Sequence, residues 1–269
     1  MDKRSVGVFD SGLGGLTAVK QIMSELPCEN IVYFGDTGRV PYGTRSKDTV
    51  IKYSKNDVNF LVSKDVKIIV IACGTVSSTA LDVLKAEYNL PIIGVVEATA
   101  EAAIEATKNG KVGIIGTPGT IKSGAYEKYI AEKNKDIKTF SRACPLFVPL
   151  VENGHFDTEV AKLVVKEYLE EIKNSDVDTL ILGCTHYPLL AKTIGEFMGD
   201  GVTLINAGAE VAKALKTELS ERNLLKEDGK DGEYNYFVSD NVDGFENLGG
   251  TFLERKINGQ VEKIDIERY

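Results

Sequence analysis

The chain is poor in the residues that announce metals, membranes and nucleic acids. Among 269 residues there are two histidines, His155 and His186, and four cysteines, Cys28, Cys73, Cys144 and Cys184. No cysteine stands in C-x-x-C or in a Cys/His spacing, so no zinc motif is present. No run reaches the roughly 18 apolar residues that a membrane span needs. Lys and Arg total 32 against 40 Asp and Glu, a formal net charge of −8 without a dominant basic cluster, which argues against a nucleic-acid groove. The opening MDKRSVGVFD enters a strand pattern with no signal-peptide core, which predicts a cytoplasmic protein with reduced thiols.

What the chain does have is alternation. Short apolar runs near 5–9, 31–34, 67–72, 92–96, 112–116, 137–140, 179–183, 203–205 and 234–238 read as strands. Helical patterns occupy 15–26, 46–63, 76–88, 98–108, 120–134, 157–174, 188–198, 208–221 and 242–253. This order predicts an α/β fold with mostly parallel sheets covered by helices on both faces. A short internal repeat relates VGVFDSGLGGLT (6–17) to VGIIGTPGTIKS (112–123), displaced by 106 residues. Two strand-to-cysteine stretches, KIIVIACGTVSS and TLILGCTHYP, are displaced by 111. Such offsets predict two related halves enclosing a cleft, with one cysteine on each wall. Ligands of open α/β sheets collect beyond the carboxyl ends of the strands.

Those strand ends carry the candidate chemistry. In Asp10-Ser11-Gly12-Leu13-Gly14-Gly15-Leu16-Thr17, Thr17 occupies the place of a third glycine, so the dinucleotide fingerprint is incomplete. Asp10 reads either as a helix N-cap or as a carboxylate aimed into the cleft. Asp36 follows the second strand, where dinucleotide enzymes keep a ribose-binding acid; the plainer reading is a turn, with Ser46 as an N-cap. A cysteine beside a helix N-terminus is expected to have its pKa drawn from about 8.5 toward neutrality, where a thiol exchanges protons at cellular pH. One such cysteine suggests a nucleophile or a redox centre. Two on opposite walls suggest a thiolate on one face of a carbon and a thiol on the other, inverting the centre. Reacting distances of about 3–3.5 Å place such sulfurs roughly 6–7 Å apart, far beyond the ~2.05 Å of a disulfide. An amino acid's α-hydrogen is a poor acid, so donors must hold the carboxylate and spread the charge. Ser11, Thr75, Thr117, Thr120 and Thr185 stand at predicted strand ends for that purpose. His186 is placed to share a proton with Cys184, and Glu152 is a candidate partner for His186. Cys28 and Cys144 read as small apolar fillers, and His155 as a surface residue at a helix start.

The stretches GVFDSGLGGLT, YFGDTGRVPYG, IACGT, GVVEA, LVENG and LGCTHYPLL, spread over residues 7–190, resemble the glutamate racemases of the cofactor-independent aspartate/glutamate racemase family. The resemblance implies two Rossmann-like or flavodoxin-like α/β domains related by a pseudo-twofold axis, with the active site between them. Residues 1–97 with 208–269 would form one domain and 98–207 the other. It implies interconversion of L- and D-glutamate without pyridoxal phosphate or metal, supplying D-glutamate for peptidoglycan, in a protein that is often a homodimer. Carried over by position, Cys73 would take the proton from D-glutamate and Cys184 from L-glutamate. Asp10 and His186 would assist the thiols, with Asp36 and Glu152 behind them. Substrate contacts would come from Asp10, Ser11, Pro41, Tyr42, Gly43, Gly74, Thr75, Thr185 and His186, with Thr117 and Thr120 beneath the carboxylates. The family commonly reads A-C-N-T where this chain has Ala72-Cys73-Gly74-Thr75, so an asparagine side chain is missing, with the Gly74 N–H or a water as its replacement. His186 after Cys-Thr favours glutamate over aspartate. The competing readings are an aspartate racemase, a nicotinamide oxidoreductase built on Gly12, Gly14, Gly15 and Asp36, a non-catalytic amino-acid binder, and a redox switch joining Cys73 to Cys184.

Overall fold

In the computed structural model, which describes residues 2–257 and 259–269, the apolar runs are strands covered on both faces. The chain opens with β1 (Val6–Asp10), α1 (Leu16–Glu25), β2 (Ile31–Gly35), α2 (Lys47–Ser63), β3 (Ile68–Ile71), α3 (Gly74–Thr79), α4 (Leu81–Glu87) and β4 (Ile92–Gly94). After α5 (Val95–Ala106) the pattern starts again with β5 (Lys111–Gly116), α6 (Pro118–Ser123), α7 (Ala125–Lys133), β6 (Lys138–Ala143) and α8 (Phe147–Glu152). It continues through α9 (Glu159–Asn174), β7 (Thr179–Leu182), α10 (Ala191–Met198) and β8 (Thr203–Asn206). Then come α11 (Ala207–Glu221), β9 (Tyr234–Val238), α12 (Val242–Leu253) and β10 (Val261–Lys263).

Among the described residues the strands form two sheets, ordered β10-β9-β2-β1-β3-β4 and β6-β5-β7-β8, with every pair parallel. The arrangement 2-1-3-4 thus recurs as 6-5-7-8, the beginning of a flavodoxin-like order. The register recurs as well. Val6 pairs with Ile68 as Val112 pairs with Thr179, and Cys73 and Cys184 each lie five residues beyond those partners. The repeat seen in the sequence is therefore a repeat of strand ends.

Period-two alternation sorts the core. Val6, Val8, Ile68 and Val70 pack toward Leu16, Val19 and Ile22 of α1, whereas Phe9, Ile69 and Ile71 pack toward Val58, Phe60 and Leu61 of α2. In the second sheet Leu180 and Leu182 join the layer of Val165, Leu169 and Ile172, and Ile181 faces Ala100, Ala103 and Ile130. Because both faces are covered, every strand position must be apolar or find a partner.

Several boundaries differ from the sequence expectation. The helix expected over 76–88 begins at Gly74, next to Cys73, and divides at Ala80. The strand expected over 92–96 stops at Gly94, because Ser77 Oγ accepts the Val96 N–H at 3.2 Å and starts α5 there. The helix expected over 120–134 starts earlier, with Thr117 as N-cap and Pro118 in its first turn, and breaks at Gly124, whose φ is +65°. Helix α8, with Pro149 inside it, and strand β10 lie outside the elements expected from the sequence.

The first sheet draws on both ends of the chain, and a buried ion pair ties them. Lys67 Nζ lies 2.6 Å from Glu29 Oε2, both side chains essentially inaccessible, and also donates to the carbonyls of Asp2 and Leu224 at 2.9 and 2.7 Å. Glu29 Oε1 accepts the Lys226 N–H at 2.8 Å. Removing one partner of such a pair leaves an uncompensated buried charge, at a cost of about 3–5 kcal/mol. Lys67→Met is expected to lose that much stability in urea unfolding, and adding Glu29→Leu to recover most of it. An unchanged unfolding midpoint in the single variant would contradict this account.

Candidate active site

The carboxyl ends of the two sheets face each other across a cavity of about 350 Å³. One wall is built from the loops after β1, β2 and β3 and presents Ser11, Gly12, Val40 to Thr44, and Cys73 to Thr75. The other is built from the loops after β5, β6 and β7 and presents Thr117, Pro118, Gly183 to His186, and Pro145, Val148, Pro149 and Glu152. Cys73 and Cys184 thus stand on opposite walls of one cavity, both free thiols and both nearly buried.

The walls are stitched at several points. Thr17 Oγ1 donates to the Thr185 carbonyl at 2.8 Å, and Gly119 N–H donates to the Gly43 carbonyl at 2.8 Å. Thr75 Oγ1 and Thr117 Oγ1 are 2.9 Å apart, and Thr117 Oγ1 is 3.0 Å from Thr120 Oγ1, forming a line of hydroxyls from one wall into the other. Gly14 approaches so closely that a Cβ there would lie 2.3 Å from Thr185 Oγ1 and 2.5 Å from His186 Nδ1. Gly74 meets the second wall in the same manner: its Cβ would lie 2.2 Å from the Gly183 carbonyl oxygen. No side chain fits at position 74 with the walls at this separation, asparagine included.

The two thiols have different surroundings. Cys73 caps α3, yet burial and then the nearby charge of Asp10 push its thiol up to about 12. The expectation that a helix terminus draws it toward neutrality is corrected: six residues of helix and one N–H do not offset desolvation in this pocket. Cys73 Sγ is 3.7 Å from Ser11 Oγ. Cys184 instead has His186 Nδ1 at 3.9 Å, and His186 Nε2 lies 3.0 Å from Glu152 Oε1. Burial acts to lower the His186 pKa, but hydrogen bonds to Cys184 and Glu152 outweigh it and hold the ring up to about 10. Phe252 of α12 packs edge-on against that ring at 5.6 Å between centroids, fixing its plane.

Two residues expected at the substrate, Asp10 and Thr120, stand one layer back, and Asp36 is buried behind the thiols as the resemblance implied. Asp10 is buried outside the cavity lining, its Oδ2 accepting the Gly12 N–H at 3.0 Å and its Oδ1 3.5 Å from Thr185 Oγ1; it is not the N-cap of α1. Burial raises its carboxyl above the ordinary range, against the opposing charge of His186. Thr120 is likewise buried, beneath Thr117. Asp36 is fully buried and bonded to Arg39 Nε at 2.6 Å, Ser239 Oγ at 2.8 Å and the Tyr42 hydroxyl. With its oxygens so occupied it cannot hold a ribose, which removes the main support for a nicotinamide site. Tyr42 therefore turns its hydroxyl away from the cavity, between Asp36 and Asp57, while the cis Val40–Pro41 peptide and Gly43 complete the rim.

Sequence reasoning missed Asp57, Thr17, Phe252 and the apolar rim of Val148 and Pro149. Asp57 lies within α2 and is also bonded to Arg39, at 3.1 Å; burial and then the charge of Asp36 push its carboxyl well above the usual range. Its only signal was an acid on an otherwise apolar helix face. Ser46 caps α2 as expected. His155 is exposed in the loop before α9, and Cys144 is buried, its thiol pushed up by burial. Among the described residues no group of His, Cys, Asp and Glu is arranged to hold a metal ion, and no helix is long and apolar enough to cross a membrane.

A family model described as Asp/Glu/hydantoin racemase matches residues 24–215. A glutamate racemase of Geobacter metallireducens is 46% identical over 267 residues, covering 99% of this chain and 98% of that protein. The crystal structure of a glutamate racemase from Francisella tularensis in complex with D-glutamate superposes with a TM-score of 0.92 at 39% identity, over the whole of both chains. That of a glutamate racemase isoform from Bacillus anthracis gives 0.95 at 40% identity over 98% of each.

The His186 contacts predict a titration with a defined direction. The folded-state value lies above the unfolded ~6.5, so the stability this cation contributes is complete below about 6.5 and lost as pH rises through about 10. Removing an anion from beside a cation lowers its pKa, so Glu152→Gln should move the His186 titration, followed by NMR of the labelled imidazole, to lower pH. An unshifted titration would show that Glu152 does not hold the charge.

Proposed function

This chain belongs to the aspartate/glutamate/hydantoin racemase family, and we propose that it interconverts L- and D-glutamate by moving the α-proton between Cys73 and Cys184. The observation that carries this reading is the placement of two free thiols on opposite walls of one small cavity, each at the end of an equivalent strand. A single nucleophile or a dinucleotide site needs only one such wall.

The roles follow from the surroundings. Cys73, with its high pKa, holds its proton at rest and acts as the acid. His186, 3.9 Å from Cys184 Sγ and backed by Glu152, is placed to exchange a proton with that sulfur, which acts as the base. The resting protein is thus set for the enantiomer whose α-hydrogen faces Cys184, which the family resemblance gives as L-glutamate. The opposite enantiomer is taken by the form in which Cys73 has lost its proton. The hydroxyls of Ser11, Thr75, Thr117 and Thr185 and the N–H of Gly74 hold the substrate carboxylates and stabilise the charge that develops at Cα. Thr120 supports Thr117, and Asp10 positions Gly12 and Thr185. Asp36 positions Tyr42 and with it Pro41 and Gly43. Apart from His186 no cation among the described residues lines the cavity, so the carboxylates are held by dipoles.

We place the division between domains at residues 1–97 with 208–269 and at 98–207, on the sheet membership of the strands and the passage of the chain through α5 and α11. The protein is assigned to the cytoplasm, where its product enters peptidoglycan synthesis. A homodimer is the expected assembly, and Val160 and Leu163, exposed one turn apart on α9, offer apolar surface for it.

Circular dichroism of pure L- and pure D-glutamate, with aspartate in parallel, tests the reaction: both glutamate signals should decay to zero and the aspartate signals should persist. Cys73→Ala and Cys184→Ala should each lower kcat/KM by about 10²–10⁴ or more, the contribution of a positioned acid or base, while the far-UV spectrum stays unchanged. Because the two enantiomers are equal in free energy, any variant must change kcat/KM equally in both directions. Retention of wild-type activity by either alanine variant would refute the assignment.

A further inference from the structure

A second cavity, of about 320 Å³, adjoins the catalytic one and shares Thr75 with it. Its lining carries three cations and no acid: Arg45 and Lys47 from the wall of the first sheet, and Lys122 from α6 on the other wall. None of the three pairs with a carboxylate among the described residues, in a chain whose net charge is −8. Most other lysines and arginines near the surface do find acids, such as Lys20 with Glu254 or Lys216 with Glu25. The remaining lining is hydroxyl-rich. Ser78 Oγ donates to the Thr75 carbonyl at 3.1 Å, while Thr79, the last residue of α3, makes no side-chain hydrogen bond with another described residue.

We propose that this cavity is a second site, distinct from the catalytic one, that takes a compact multivalent oxyanion, a phosphate or a polycarboxylate, and bridges the two walls through Arg45 and Lys47 on one side and Lys122 on the other. Three like charges around one cavity repel each other across the gap between the walls, and a monovalent counterion relieves only part of that. A multivalent anion neutralises them together and holds the walls closed. Thr75 connects this effect to the catalytic cavity, because its hydroxyl joins the Thr117–Thr120 line across the same gap. An anion that favours closure therefore favours glutamate binding, and by reciprocity glutamate favours the anion.

The test is calorimetric titration of the protein, without glutamate, with inorganic phosphate and separately with citrate, against sodium chloride of matched ionic strength. Saturable binding is expected for the wild type, and which anion binds better identifies phosphate or carboxylate as the preferred group. Lys47→Gln combined with Lys122→Gln should weaken binding at least tenfold, while racemisation at saturating glutamate in chloride stays unchanged. The preferred anion should lower the glutamate KM of the wild type and leave that of the double variant alone. The binding measurement does not depend on the protein's being a racemase, so its failure is separate from failure of that reading. Equal binding by both proteins, absence of saturation, or a KM that is indifferent to the anion would overturn the proposal. A KM that rises would overturn it too, by placing the anion in the catalytic cavity.

Discussion

The contact on which the site depends is one of backbone against backbone. The two sheets are separate layers that share one apolar core on the α1 and α9 side, and what matters for the site is the distance between their strand ends. That distance is set where the loop after β3 meets the loop after β7, Gly74 against the Gly183 carbonyl, with no room for a Cβ. The neighbours of these two glycines are Cys73 and Cys184. Whatever fixes the glycine contact therefore fixes the spacing of the sulfurs. The cross-wall bonds from Thr17 and Gly119 hold the same separation from either side. A protein with an asparagine at position 74 must keep its walls farther apart or differently turned.

Closeness has an electrostatic consequence. Excluding water from the cavity penalises every charge in it, and the outcome for each thiol depends on what else is nearby. Cys73 has a hydroxyl and, behind it, the carboxyl of Asp10, so the neutral thiol is favoured. Cys184 has an imidazole held cationic by Glu152. Two groups of the same type, at equivalent places in a repeated fold, are thereby given opposite roles at rest. The asymmetry lies in the partners, since the two sheets supply nearly the same backbone.

Much of this was legible in the sequence, because strands buried on both faces must be apolar throughout and end abruptly. The runs ahead of Cys73 and Cys184 gave the strands, their common offset gave the repeat, and the parallel order follows from the alternation of strand and helix. What could not be read was anything decided by contact between distant segments. Asp36 looked available because its loop is polar; only the fold brings Arg39, Ser239 and Tyr42 to its oxygens. Helix α8 was hidden by Pro149, tolerated because it sits in the first turn, where its missing N–H has no partner to lose. The pKa of Cys73 was misjudged because the helix terminus is visible in the sequence and the burial is not.

The central claim is that each face of the substrate carbon has its own sulfur, and exchange labelling in D2O addresses it directly. Starting from L-glutamate, the first D-glutamate formed should carry deuterium at Cα while the recovered L-glutamate remains unlabelled, because the base that removes hydrogen from one face does not return it there. Equal early labelling of substrate and product would mean that one base serves both faces, and the account of opposed thiols would be wrong.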